Sequence, residues 1–382
     1  MTPENLVVGG GLAGAMAGLR LARAGRSVVL LEKEPGAHHK VCGEFLSPEA
    51  VSYLRQAGLD PLRLGAAEIA RLRFSVKDRL METELPFRAL SLSRCVLDAA
   101  LLERAADAGC NVRSATAVQG IAREGRGWTA RLEDGTPVQA RNVFLATGKH
   151  DVRGWYRPAG RQGDLVGFKM HWRLRADAVE QMRGFMDLFL FTGGYGGLAL
   201  VEGGAANLCL VIRRARLRQL GDWRAVLASI WHENLELARR LKGAVPVWER
   251  PLAIGSIPYG YFQREECGIW RVGDQAAVIP SFTGDGMAIA LHSGSLAVGM
   301  YLAGNSPGEY RTVLNAQLRR GMRVATVLSQ AMVSGLGRKL AKPLMPLLSL
   351  PFGWIAGLTR IPGYAVSTLL DKAPVSQMQS QP

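Results

Sequence analysis

Residues 5 to 34, NLVVGGGLAGAMAGLRLARAGRSVVLLEKE, pair two short apolar runs around an alanine-rich stretch of small residues. A short apolar run fits a strand, the alanine-rich stretch a helix, and the second, β-branched run another strand. The segment predicts strand, helix, strand. Residues 69 to 87, IARLRFSVKDRLMETELPF, predict a hairpin. LVGFKMHWRLRA and FMDLFLFTGGYGGLALVEGGAANLCLVIRR predict further sheet strands, and WRAVLASIWHENLELARRLKG has helical periodicity. A second strand, turn and helix follow at residues 270 to 294, WRVGDQAAVIPSFTGDGMAIALHSG.

The pattern predicts two interleaved domains, as a chain of 382 residues allows. Residues 1–68, 88–155 and 268–330 form a discontinuous α/β nucleotide domain, with 69–87 and 156–267 inserted as a mixed-sheet domain. Residues 331–372 read as a helical, apolar and basic C-terminal region, and 373–382 as a flexible tail.

Lys and Arg number 47 against 32 acids, a net charge of +15, so the surface favours anionic partners. Nucleic acid is not expected: no finger spacing is present and the basic residues are scattered through RRARLR, ARRLK, LRRGMR and GRKLAK. Five cysteines, widely spaced and without C-x-x-C, read as a reduced cytoplasmic chain. No signal peptide is expected ahead of the first strand.

Gly9, Gly11 and Gly14 stand in G-x-G-x-x-G register between the first strand and its helix. Gly9 permits the tight turn, Gly11 lets the backbone approach a pyrophosphate, and Gly14 lets the helix lie close to the sheet. Glu32, ending the second strand, is placed to accept bonds from a ribose. In the distant segment, Asp274 after Gly273 is placed for a ribityl hydroxyl. Pro280 and the Gly284 and Gly286 turn lead to a helix starting near Met287, whose N-terminus suits a reduced flavin.

Together these motifs resemble the glutathione-reductase-type FAD superfamily, in the para-hydroxybenzoate-hydroxylase-like branch that includes geranylgeranyl reductases, flavin halogenases and aromatic hydroxylases. The resemblance covers roughly residues 4 to 330. It implies a Rossmann-like FAD-binding domain, an inserted mixed-sheet substrate domain whose sheet walls the flavin, and NAD(P)H as electron donor. It also implies that Arg94, opening a helix in LSLSRCVLDAALLERAADAGCNV, contacts the FAD phosphates or adenine side. Thr147-Gly148 stands where the hydroxylases carry Asp-Gly, and Gly148 is retained for FAD.

The loop at residues 38 to 49, HHKVCGEFLSPE, matches the reductases' Cys-Gly at Cys42 and Gly43, which are carried over as flavin-proximal. Glu44 departs from their glycine. His38 and His39, being adjacent, read as a solvated pair and not as metal ligands, and no metal is expected. His171, Trp172, Tyr195 and the Gly193 to Gly197 turn are the candidates for the substrate wall. The reductases' Y-x-W-x-F-P-K motif is matched at Tyr195, with Gly197, Ala199, Leu200 and Val201 in place of its later residues. The halogenases' W-x-W-x-I-P is not found; AIGSIPYGYF keeps Ile-Pro. Candidate catalytic residues are His171, Tyr195 and Glu44.

Pro343 to Thr359 is uncharged and lies between basic residues. Residues 338–360 read either as helices over the cavity or as a peripheral membrane anchor with Phe352 and Trp354 in the acyl boundary. The leading expectation is a monooxygenase acting on a lipophilic aromatic or polyketide-like molecule through a flavin hydroperoxide. A reductase of isoprenoid double bonds and a flavin halogenase are the alternatives.

Overall fold

The computed structural model describes residues 3–348 and 357–371. Strand β1 (Asn5–Val8), helix α1 (Leu12–Arg23) and strand β2 (Val28–Leu31) follow the expected order, with β1 and β2 parallel. Strand β3 (Phe45–Leu46) and helix α2 (Pro48–Gln56) come next, α2 being capped by Ser47. The hairpin is β4 (Ala67–Val76) and β5 (Arg79–Ser91). Helix α3 (Arg94–Asp107) starts at Ser93, whose hydroxyl accepts from the Val96 N–H and satisfies a first-turn donor. Strand β6 (Asn111–Arg113), a meander of β7 (Val118–Glu124), β8 (Gly127–Leu132) and β9 (Pro137–Ala140), and strand β10 (Asn142–Leu145) complete the first half.

Beyond these lie β11 (Leu165–Arg173), α4 (Ala176–Met182), β12 (Gly184–Phe191), β13 (Gly194–Leu200) and β14 (Ala206–Arg213). Helices α5 (Arg214–Leu220), α6 (Trp223–Glu233) and α7 (Leu235–Arg240) follow, then the short strands β15 (Val245–Pro246), β16 (Leu252–Gly255), β17 (Tyr261–Phe262), β18 (Trp270–Arg271) and β19 (Ala277–Val278). The expected helical stretch is two helices because Asn234 ends α6 and caps α7, accepting from the Leu237 N–H. Helices α8 (Gly286–Leu302), α9 (Pro307–Val333), α10 (Gly335–Leu348) and α11 (Gly363–Asp371) end the described chain.

A five-stranded sheet in the order β18-β10-β1-β2-β6 is the frame of the α/β domain. Its unbroken apolar strands have two partners. Val7, Leu30 and Phe144 pack on α1, α3 and α8, while Leu6, Val8, Val29 and Leu145 pack on the β7-β8-β9 meander. The second sheet has nine strands, running β15-β11-β14-β13-β12-β4-β5-β3 with β16 also on β11. One face carries Phe168, Met170, Trp172, Leu208 and Leu210 against Val226, Leu227 and Ile230 of α6. The period of two sends Lys169, His171, Cys209 and Leu188 to the opposite face, toward the α/β domain.

Helix α9 runs unbroken through residue 330 and packs on β12, β13 and β18. It therefore spans the expected junction between the nucleotide domain and the C-terminal region. Helix α11 returns to α2 and α8, where Gln56 Nε2 donates to the Leu370 carbonyl. Among the described residues no helix is long and apolar enough to cross a membrane. Phe352 and Trp354 of the expected anchor, and the expected tail 373–382, lie outside the described residues.

Candidate active site

A cavity of about 590 Å³ lies between the α/β domain and the inward face of the second sheet. Its polar end is lined by Gly9, Gly11, Glu32, Lys40 and Arg94; its apolar end by Leu72, Met186, Leu188, Val211, Ile257 and Phe282. Gly9 has φ +106°, and a Cβ on Gly14 would fall 1.9 Å from the Gly9 carbonyl oxygen, so these glycines fix the turn and the close helix. Helix α1 has no side-chain cap, leaving its first N–H groups free for an anion.

Two cations face that helix end. A Cβ on Gly11 would lie 3.5 Å from both Arg94 Nη2 and Lys40 Nζ. Arg94 donates to both carboxylate oxygens of Asp98, at 2.6 and 2.8 Å, and Lys40 donates to the same group at 2.9 Å. Burial alone would raise the Asp98 carboxyl; Arg94 and Lys40 overcome it and hold the group below the ordinary range. Glu32 accepts from the Gly10 N–H at 2.6 Å and the Glu34 N–H at 3.0 Å, so its carboxylate is oriented at the cavity wall. The bare Gly11 approach, the free helix end and the paired cations fit a dinucleotide pyrophosphate.

Cys42, Gly43, Gly148, Gly273, Asp274, Gly284, Gly286 and Met287 also line the cavity. Pro280 sits between the lining residues Ile279 and Ser281. Gly284, with φ +74°, turns the chain into α8. Asp285, beside that helix start, is pushed up to about 6 by burial, with Arg360 opposing. Thr359 Oγ1 donates to it at 3.0 Å, and both Thr359 and Arg360 line the cavity.

Glu44 is fully buried at φ +59°, a conformation that costs a residue with a Cβ on the order of 1 kcal/mol. Its carboxylate accepts from Lys169 Nζ, from His171 Nε2 at 2.8 Å and from the Arg94 N–H at 2.8 Å. Its carbonyl accepts from the Leu92 N–H and from Ser91 Oγ, each at 3.1 Å. One residue thus joins the 38–49 loop, the second sheet and the start of α3. Burial works against ionisation of Glu44, and His171 and Lys169 outweigh it, holding the carboxyl below its ordinary value.

Three expectations change. His39 is not solvated: its ring lies 4.8 Å from those of His171 and Trp248, half-buried. Trp172 faces the α6 side, since it alternates with His171 along β11. Residues 194 to 197 belong to strand β13 and not to a turn. His171 and Tyr195 stand behind the cavity surface; the Tyr195 hydroxyl lies 3.4 Å from Ser281 Oγ and from Ser329 Oγ. Ligand atoms of His39, Glu44 and His171 lie within 4.8 Å of one another, but the Lys169 ammonium sits on the same carboxylate, where a dication would be repelled.

Sequence reasoning missed Lys40, Asp98 and Lys169. Asp98 was signalled by its i+4 position from Arg94 on a helix. Lys169 was signalled by the alternation in FKMHW, which puts it on one face with His171.

Residues 3–145 match the model of the FAD binding domain. The chain is 32% identical over 307 residues to digeranylgeranylglycerophospholipid reductase 2 of Methanopyrus kandleri, covering 76% of this chain and 75% of that protein. The chain belongs to the geranylgeranyl-reductase-like family of FAD-dependent oxidoreductases. Menaquinone reductase of Mycolicibacterium smegmatis is 25% identical, with 85% of this chain and 83% of that protein covered. Among solved structures, a geranylgeranyl bacteriochlorophyll reductase-like protein of Thermoplasma acidophilum superposes with a TM-score of 0.74 at 20% identity, covering 97% of this chain and 96% of that one. The myxobacterial chondrochloren halogenase shares the fold at a TM-score of 0.75, 19% identity and coverages of 97% and 96%. The matched segment contains the glycine turn, Glu32, Lys40 and Arg94, which line the polar end of the cavity.

Proposed function

We propose that this flavoenzyme reduces an isoprenoid carbon–carbon double bond of a lipophilic substrate, with NAD(P)H as electron donor. The observation that carries the reading is the apolar end of the cavity, which continues directly from the cofactor end. Bound FAD supplies the hydride-transfer centre. Gly9, Gly11 and the α1 N-terminus hold its pyrophosphate, Arg94 and Lys40 balance the phosphate charge, and Glu32 accepts from the ribose. Cys42, Gly43 and Gly148 would border the cofactor, and Gly286 with Met287 would bring the α8 N-terminus to it. Leu72, Met186, Leu188, Val211 and Ile257 exclude water from the reacting bond. Glu44, through Lys169 and His171, holds the Cys42-Gly43 loop against the substrate sheet. The names of the two reductase relatives support this choice.

The same reading includes docking at a membrane surface, where such substrates reside. Leu336 and Leu340, 69% and 48% exposed, flank Arg338 and Lys339 on α10, a composition suited to an anionic bilayer surface.

The experiment is anaerobic turnover of the FAD-loaded protein with NADPH and a polyprenyl quinone or geranylgeranylated lipid, read by mass. A gain of two hydrogens per reduced bond is expected. Oxygenation of a lipophilic aromatic is the second reading, favoured by the same water-excluding cavity. It predicts no anaerobic product and, in air, oxygen uptake with a product heavier by one oxygen. Halide incorporation would sink both.

A further inference from the structure

We infer that Gly197 sets the width of the substrate end of the cavity, and that this end accepts a planar fused-ring head group. The inference rests on the reading of the cavity as the substrate site. Leu188, Gly197 and Cys209 are in register across β12, β13 and β14. A side chain at 197 would therefore point to the side of Leu188 and Cys209, both of which line the cavity. The position is bare, and Met186, another lining residue, lies across it. A Cβ on Gly197 would fall 2.5 Å from Met186 Cε and 3.5 Å from the Asp187 carbonyl oxygen.

The nearby glycines have a different reason to be glycine. A Cβ on Gly194 would strike the Phe191 ring at 2.4 Å and the Val211 carbonyl at 2.3 Å, and one on Gly196 the Phe189 ring at 2.5 Å. Those two pack the opposite face. At Gly197 the conflict is with the far end of a flexible thioether at the cavity surface. Room on the other side is closed, because Ala199, next on the same face, is buried against Ile69 and Ala89 with Met186 beside it. A side chain at 197 would displace Met186 into the cavity and leave the sheet intact.

Because Met186 Cε rests in the space that Gly197 leaves, the thioether is held back from the cavity, and the gap kept there, lined also by Phe282 and Tyr259, suits a flat aromatic face. A linear polyprenyl chain is narrow and needs no such gap. A naphthoquinone-sized head group does.

The test is equilibrium binding to the oxidised FAD-loaded protein, followed by flavin fluorescence, with menadione as the fused-ring probe and farnesol as the linear one. Gly197→Ala should weaken menadione about threefold and Gly197→Leu about tenfold or more, with farnesol within about twofold, as pocket methylenes discriminate. Adding Met186→Ala to Gly197→Leu should recover menadione binding, which controls for misfolding. Equal weakening of both probes, or menadione binding unmoved by Gly197→Leu, would overturn the assignment of width to Gly197. If the wild type retains FAD but binds neither probe saturably, the substrate-site reading falls and takes this inference with it.

Discussion

Among the described residues, two buried histidine networks are built in opposite ways. His292, on α8, accepts from the Tyr53 hydroxyl at Nδ1, 2.7 Å away, and donates from Nε2 to Gln317 Oε1 at 2.8 Å, tying α8 to α2 and α9. Every member is neutral, both ring nitrogens are bonded, and burial lowers the imidazole to about 4. His171, on β11, belongs instead to an ionised cluster with Glu44 and Lys169, at a residue of positive φ beside the cavity. A neutral network fastens helices at little electrostatic cost. A charged one costs desolvation of each ion, and here it joins a cavity-lining loop to the wall across from it. Buried polarity alone therefore does not mark the working region; charge, backbone strain and position at a cleft together do.

The contrast is most open to attack at Glu44. Glu44→Gln would leave the Lys169 ammonium buried without a counter-charge, and unfolding in urea should show a loss of about 3–5 kcal/mol. Replacing both partners, Glu44→Gln with Lys169→Met, should recover most of it. A single variant within about 1 kcal/mol of wild type would mean that Lys169 is neutral and the two networks are alike.

On the neutral side, Tyr53→Phe removes one hydroxyl and leaves the His292 Nδ1 acceptor unpaired in a dry helical core. The expected loss is about 2 kcal/mol, within the usual range for an orphaned buried acceptor. Bound FAD should be unchanged, since Tyr53, His292 and Gln317 do not line the cavity. A drop in flavin content with unchanged stability would break the division between a fastening network and a working one.

Legibility in the sequence follows the same division. The turn from β1 to α1 was readable because its glycines lie within six residues of each other and each answers a local constraint. The sharing of one face by Lys169 and His171 was readable in principle from strand alternation. Their partner was not: Glu44 lies 125 and 127 residues away, in a loop with no periodicity, and only the fold brings it to β11. Tyr53 and His292 are 239 residues apart and sit on helices whose apolar spacing gives no sign of a polar pair. His39 misled because adjacency argues against shared metal ligation but says nothing about packing, and Trp248 covers it from a distant segment.

The smallest effect separates the networks by pH. His292 has a folded value of about 4 against an ordinary 6.5, because burial disfavours the imidazolium while the Gln317 bond offsets part of that. Between those values the unfolded chain binds a proton that the folded chain does not, so stability falls as pH drops through the window. The share lost by pH 5.5 is on the order of 1 kcal/mol. Asp285 and Asp187, both pushed up to about 6 by burial, act the other way, since the folded chain then holds the extra proton. The wild-type profile alone would mix these slopes, so the readout is the difference from His292→Gln in urea unfolding. That difference should shrink by about 1 kcal/mol from pH 7.5 to 5.5, because only the wild type carries the imidazole's proton penalty. Parallel profiles would show that His292 is already charged in the fold, and its network would then join that of His171 as an ionised one.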